Sequence, residues 1–148
     1  MVIIKKNGQE ESFAPQKVLN RIKKASEDLD IDCDILAQAV ISQIKDKMTT
    51  NDVDELIISE SLAKITSNND YSFFASNIAM SRDFRTTRKN KFDFDISKKI
   101  DYDYLAYATF KKSYQQKGET PQEMYGRIAN YFGEETEEKQ ELFDMLIT

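Results

Sequence analysis

Two short extended runs meet at Asn7-Gly8 and feed a helix that begins near Pro15, and this opening constrains the chain more than any other stretch. Asn-Gly accepts the positive φ angles of a tight two-residue hairpin. Pro15 presets the helical φ for a first-turn position. Val18, Leu19, Ile22, Ala25 and Leu29 then recur at helical spacing. The expectation is a small hairpin packed on an amphipathic helix. Lys5 and Lys6 sit on the first strand of that hairpin, and Lys17 and Arg21 on the first turns of the helix. Packing the two elements together gathers four cations. For an isolated lysine pair a solvated face is the better reading; here the ordered pattern favours an anion site.

Charge placement supports that choice. The chain is acidic overall, with a net charge of −5, which argues against non-specific nucleic-acid binding. Yet residues 1–24 carry Lys5, Lys6, Lys17, Arg21, Lys23 and Lys24 against Glu10 and Glu11. The last stretch holds Glu134, Glu135, Glu137, Glu138, Glu141 and Asp144. A locally basic N-terminal part on an acidic chain suits a small anion better than a long polyanion. One cysteine, Cys33, excludes an internal disulfide and a cysteine-rich zinc site. The absence of histidine excludes imidazole catalysis and histidine metal ligation. No run is long and apolar enough to span a bilayer, and no signal-peptide pattern opens the chain, so an intracellular, cytoplasmic setting is expected. No metal ligands and no catalytic residues are assigned.

Further along, Asp30-Ile31-Asp32-Cys33-Asp34 supplies turn and cap residues for a second helix marked by Ile35, Leu36, Ala39, Val40 and Ile44. Thr49 and Asp52 are spaced as a capping box, opening a third helix through Val53, Leu56, Ile57, Leu62 and Ile65. Asn68-Asn69-Asp70 ends it and caps a fourth, running from Asp70 to Arg85. Neither G-x-G-x-x-G nor G-x-x-x-x-G-K-[ST] occurs, so phosphate must be held by side-chain cations. Lys5, Lys6, Lys17 and Arg85 are the candidates. Glu11 is placed to accept from a base amino group or a sugar, and Thr50 and Asp54 to reach sugar or base from the third helix. The plainer readings are surface carboxylates for Glu11 and Asp54 and a helix cap for Thr50.

The ordered segments Ile3-Ile4-Lys5-Lys6-Asn7-Gly8, Glu11-Ser12-Phe13-Ala14 and Pro15-Gln16-Lys17-Val18 resemble the ATP-cone, the nucleotide-sensing domain of many ribonucleotide reductase catalytic subunits. Thr50, Asp52, Asp54 and Glu55, then Asp70, Tyr71, Ala75, Ile78 and Ala79, continue the match, so that the resemblance covers residues 2–92. Departures are Lys6 for the usual Arg, Asn7 for Asp, Asn77 for Arg, Arg85 for a phosphate-contacting Lys, and Ala14 for a helix-capping Asp. Losing such a cap typically costs about 1 kcal/mol. The resemblance implies a mainly α (α+β) fold, with a small N-terminal β-hairpin packed on a four-helix cone and a helical segment after it. It implies a nucleotide site made of Ile3, Lys5, Lys6, Glu11, Lys17, Val18, Thr50, Asp54 and Arg85. ATP or dATP, with Mg²⁺, would be the allosteric effector, and the family changes oligomeric state in response.

Past a short connector, Phe92–Lys99, the segments Ile100-Asp101-Tyr102-Asp103-Tyr104, Ser113-Tyr114 and Glu119-Thr120-Pro121-Gln122-Glu123-Met124 resemble the helical region before the barrel of reductase large subunits. Tyr102, Tyr104 and Tyr107 fit core or interface packing better than a stacking platform. The resemblance implies an ATP-cone over residues 1–92 and a pre-barrel helical region over 93–148. Reduction in that family needs a cysteine pair and a third sulfur, which one cysteine cannot supply, so no activity is expected from this chain alone. The expected partners are a barrel-containing catalytic polypeptide, a radical-generating small subunit and the nucleotide. Leu142, Phe143, Leu146 and Ile147 form an apolar stripe expected to be left uncovered for the barrel. Two rival readings are a transcriptional repressor of reductase genes, whose family carries a four-cysteine zinc ribbon ahead of its cone, and a helical interaction module with no ligand.

Overall fold

The computed structural model describes residues 1–84, 91–116 and 118–148. The chain divides into two compact units, Met1–Asp83 and Phe84–Thr148. The first contains β1 (Val2–Ile4), β2 (Glu10–Ser12), α1 (Pro15–Ala25), α2 (Cys33–Ile41), β3 (Met48–Thr49), α3 (Thr50–Leu62) and α4 (Asp70–Asp83). In the second, α5 (Tyr104–Thr109) runs on into a π-helical turn, Phe110–Tyr114, followed by α6 (Pro121–Phe132) and α7 (Thr136–Leu146). The fold is mainly α with a small β element, as expected.

The β element differs from expectation in two ways. The hairpin loop is not a two-residue turn. Lys5 N donates to Gln9 O (2.8 Å) and Gly8 N to Lys5 O (2.9 Å), closing a loop of Lys6, Asn7 and Gly8. Within this loop positive φ falls on Gly8 alone (+85°), the arrangement of a turn followed by a left-handed glycine. Asn7 Oδ1 accepts from Gln9 N at 3.0 Å, so the asparagine serves through its side chain. Lys5 and Lys6 therefore lie in the turn, past the end of β1. The sheet also has three strands, in the order β2-β1-β3. β1 pairs antiparallel with β2, Ile3 facing Glu11, and parallel with β3, Ile4 facing Thr49. The Asp46 carboxylate accepts from Val2 N (2.8 Å), Lys47 N donates to Val2 O (2.9 Å), and Lys47 turns the corner at φ +64°. A two-residue strand is too short for alternation to reveal it.

Four helices pack on one another around Val18, Ile22, Leu36, Val40, Ile57, Ile58, Phe74 and Ile78, all buried. Burying side chains of this size contributes roughly 1.5–3 kcal/mol each. Pro15 stands at the start of α1, and Ala14 is its N-cap without a side-chain hydrogen bond. The helix stops at Ala25, so Leu29 falls in the following turn, where Asp28 takes φ +64°. On α2 the buried residues are Leu36, Ala37 and Val40, whereas Ile35 is exposed. Cys33 occupies the first turn of α2, under the Asp32 cap. The Thr49/Asp52 capping box forms as expected. Ile65 lies beyond the end of α3.

In the second unit the expected connector is core. Phe94, Ile96, Ala129 and Phe143 are buried together, with Phe92, Tyr125, Leu142 and Ile147 packed against them. This corrects the expectation of an uncovered stripe on α7: Phe143 is fully buried, because Phe92, Phe94 and Ile96 pack with it. Gln140 locks that segment in place, donating to Asp95 O (2.9 Å) and accepting from Asp95 N (2.7 Å). Leu146 and its neighbour Met145 stay exposed. A second capping box, Thr120 with Glu123, starts α6 behind Pro121. Tyr107 is buried and stacks on Phe110 at 6.1 Å, a packing role. Burial and the Tyr125 hydroxyl, 2.8 Å away, push the Tyr102 phenol well above its ordinary range.

Candidate functional site

The strand register arranges the sheet end of the first unit. Because Ile4 faces Thr49 in the parallel pair, the residues that follow, Lys5 and Thr50, leave the sheet at the same end, one strand apart. Ile3, on the middle strand, has Glu11 on one side and Met48 on the other. Thr50 is the first residue of α3, and the cap itself is the Thr49 hydroxyl. The Thr50 side chain is thereby left out of the capping box.

From the helix side, Lys17 and Arg21 are four residues apart and share a face of α1. Lys17 Nζ pairs closely with Glu11 Oε1, and Lys5 Nζ lies 3.5 Å from Glu11 Oε2. Glu11 thus bridges a hairpin lysine and a helix lysine, one through each carboxylate oxygen. The hydrogen bond from Lys17, with Lys5 adding to it, holds the Glu11 carboxyl below its ordinary 4.5. One turn along α1, Arg21 Nε and Nη2 donate to Asp54 Oδ1 (2.6 Å) and Oδ2 (3.0 Å) on α3. The same guanidinium reaches α4 through Ser81 Oγ at 3.2 Å. Beside this clamp, Arg82 pairs with Glu55 and, at 3.1 Å, with Asp83.

Of the sequence-derived candidates, Lys5, Glu11 and Lys17 are in direct contact, and Ile3 and Thr50 adjoin them through the sheet. Val18 is buried beneath. Lys6 is exposed at the loop tip and makes no ion pair among the described residues. Asp54 is 1% exposed with its carboxylate held by Arg21. Arg85 lies outside the described residues. Sequence reasoning missed the Arg21–Asp54 clamp and its extension to Ser81. A signal existed in the paired spacings, Lys17 to Arg21 and Thr50 to Asp54, each four apart, but nothing in either helix says that the two faces meet.

Cations from two elements converge here without a glycine-rich loop, an arrangement able to hold a compact polyanion by charge and direct hydrogen bonds. A family model described as the ATP cone domain matches residues 1–86. A ribonucleoside-diphosphate reductase large subunit from Arabidopsis thaliana is 32% identical over 93 residues, covering 61% of this chain and 11% of that protein. Its counterpart from Trypanosoma brucei brucei is 23% identical over a match 197 positions long, gaps included, covering 98% of this chain and 24% of that protein. The chain therefore spans no more than about a quarter of the length of these curated relatives.

Proposed function

The chain belongs to the ATP-cone family, and on that premise we propose that it is the nucleotide-sensing N-terminal region of a ribonucleotide reductase catalytic subunit, reading ATP against dATP. The observation that carries this is the convergence of Lys5 and Lys17 on one point beside the start of α3. In this reading Lys5, Lys6, Lys17 and Arg85 hold the phosphates, Ile3, Val18 and Thr50 surround sugar and base, Asp54 anchors Arg21 behind them, and Glu11 is the carboxylate that Lys5 and Lys17 hold before the nucleotide arrives. No group of three or more metal-ligating side chains occurs among the described residues, so Mg²⁺ arrives on the phosphates, as is usual for that ion. Residues 1–92 act as the sensor, and residues 93–148 as the helical region that joins it to a reductase barrel. The barrel and a radical-generating small subunit supply the chemistry of deoxyribonucleotide synthesis. Effector binding biases assembly, and assembly biases effector binding by the same factor.

Calorimetric titration with ATP and dATP tests the binding. Both nucleotides should give saturable heat. Lys17→Ala should weaken binding by about tenfold or more, since a hydrogen bond to a charged group contributes about 1.5–3 kcal/mol. Lys23→Ala, on the exposed last turn of α1, should change little. Absence of heat with either nucleotide, or equal losses in the two variants, would overturn the assignment. Reconstitution with a barrel-bearing polypeptide and a radical-generating subunit tests the regulatory role. Reduction should appear only in the mixture and fall with dATP only when this chain is present.

A further inference from the structure

On the nucleotide-binding reading above, we propose that Glu11 is a resident counter-anion of the site: it occupies both phosphate-binding lysines, and the phosphates of an incoming nucleotide must displace it. The three groups come from three elements. Lys5 leaves β1 at the hairpin turn, Glu11 points from β2, and Lys17 stands on the first turn of α1. One carboxylate oxygen serves each lysine, Oε1 for Lys17 and Oε2 for Lys5, the latter at 3.5 Å. The first turn of α1 holds no acidic residue, and its cap has no side-chain hydrogen bond. The carboxylate that reaches these lysines is therefore borrowed from the neighbouring strand.

Two consequences follow from charge. A phosphate chain entering between Lys5 and Lys17 meets like charge as long as Glu11 stays, so Glu11 rotates out as the anion enters. All three side chains keep substantial solvent exposure, between 35% and 63%, so the exchange of one anion for another needs no opening of the core. The resident pairs are of the surface kind, each weak and screened by salt. The displacement therefore tunes affinity rather than blocking it. It disfavours weakly charged anions that cannot replace both contacts and favours a triphosphate, which can.

Inorganic tripolyphosphate isolates this role, because it has neither base nor sugar. Its affinity is measured by calorimetric competition on the full chain, alongside ATP, for the unmodified protein, Glu11→Gln, Lys17→Gln and the double variant. Glu11→Gln should bind tripolyphosphate about fivefold tighter at low salt, with the gain shrinking as salt rises. Adding Glu11→Gln to Lys17→Gln should gain less, since half of the displaced contact is already gone. Unchanged or weaker tripolyphosphate binding by Glu11→Gln overturns the proposal, whether or not ATP still binds. So does a loss confined to ATP, which makes Glu11 a base or sugar contact. If the tripolyphosphate gain appears but no variant binds ATP, the counter-anion role stands and the nucleotide reading falls.

Discussion

Asp54 accepts two hydrogen bonds from one guanidinium, that of Arg21, at 2.6 and 3.0 Å, and does so with 1% of its side chain exposed. Arg21 is 27% exposed, so the two partners are unequally buried. Removing the cation leaves a carboxylate deep in the protein; removing the anion leaves a guanidinium with access to water. Breaking a buried pair typically costs about 3–5 kcal/mol. Arg21→Met should fall in that range in urea unfolding followed by circular dichroism, and Asp54→Asn should cost clearly less. The double variant should be less destabilised than the sum of the two. If Asp54→Asn proves the more damaging, burial of charge does not explain the pair.

Ala14 occupies the N-cap of α1 in extended conformation, φ −125° and ψ 109°, with no side chain to offer the first-turn N–H groups. Ala14→Asp supplies one. The gain should be about 1 kcal/mol, seen as a rise of a few degrees in the thermal transition of the unliganded chain. An unchanged or earlier transition would mean that the new carboxylate disturbs the neighbouring Glu11–Lys17 pair.

Asp52 gives a pH dependence of definite sign. The Thr49 backbone N–H, which donates to Asp52 Oδ2 at 3.0 Å, and the Thr49 side chain hold its carboxyl below the ordinary 3.8. A carboxyl lowered on folding stabilises above its unfolded value and loses that contribution as pH falls through its folded value. Asp52→Asn should thus be the less stable at neutral pH, by about 0.3–1 kcal/mol for a charge at a helix N-terminus. The gap should close below pH 3.8. Parallel melting curves that keep the same separation down to the lowest pH would assign the effect to packing.

Gly126 sits in α6 because of what lies above it. A Cβ there would come within 2.7 Å of Phe92 Cε2 and 3.1 Å of Ile96 Cγ2. Alanine is the better helix former by about 1 kcal/mol, yet overpacking costs about 1–3 kcal/mol. Gly126→Ala should therefore destabilise the second unit in thermal melts, and adding Phe92→Leu should recover part of the loss. A stabilised Gly126→Ala would show that the Phe92 ring yields freely.

Signals carried by one residue and its near neighbours were legible: Pro15 and Ala14 at the start of α1, the Thr49/Asp52 box, and the existence of the four helices. What escaped depended on partners distant in sequence. β3 is held by Ile3 and Ile4, forty-odd residues away, and its two residues show no period of their own. Phe92-Asp93-Phe94-Asp95-Ile96 alternates apolar with polar, and its apolar residues are the ones that pack against α6 and α7, but so short an alternation does not say what covers it. The same limit applies to the site. Charge and spacing named Lys5, Lys17 and Glu11, but only the sheet register and the packing of α1 show that Glu11 lies between the two lysines and that Asp54 faces Arg21.

Thr49 is at once the last residue of β3 and the cap of α3, with no spacer between strand and helix. The helix is geared to the sheet. Successive strand residues point to opposite faces of a sheet, so a one-residue slip of β3 along β1 would reverse the face from which Thr50 enters α3 and carry the Asp54 carboxylate off the Arg21 guanidinium. Conversely, α3 cannot rotate about its axis without first unpairing from Ile3 and Ile4. Any rearrangement that reaches α3 from the sheet end must arrive as tilt or translation, and twist is locked out.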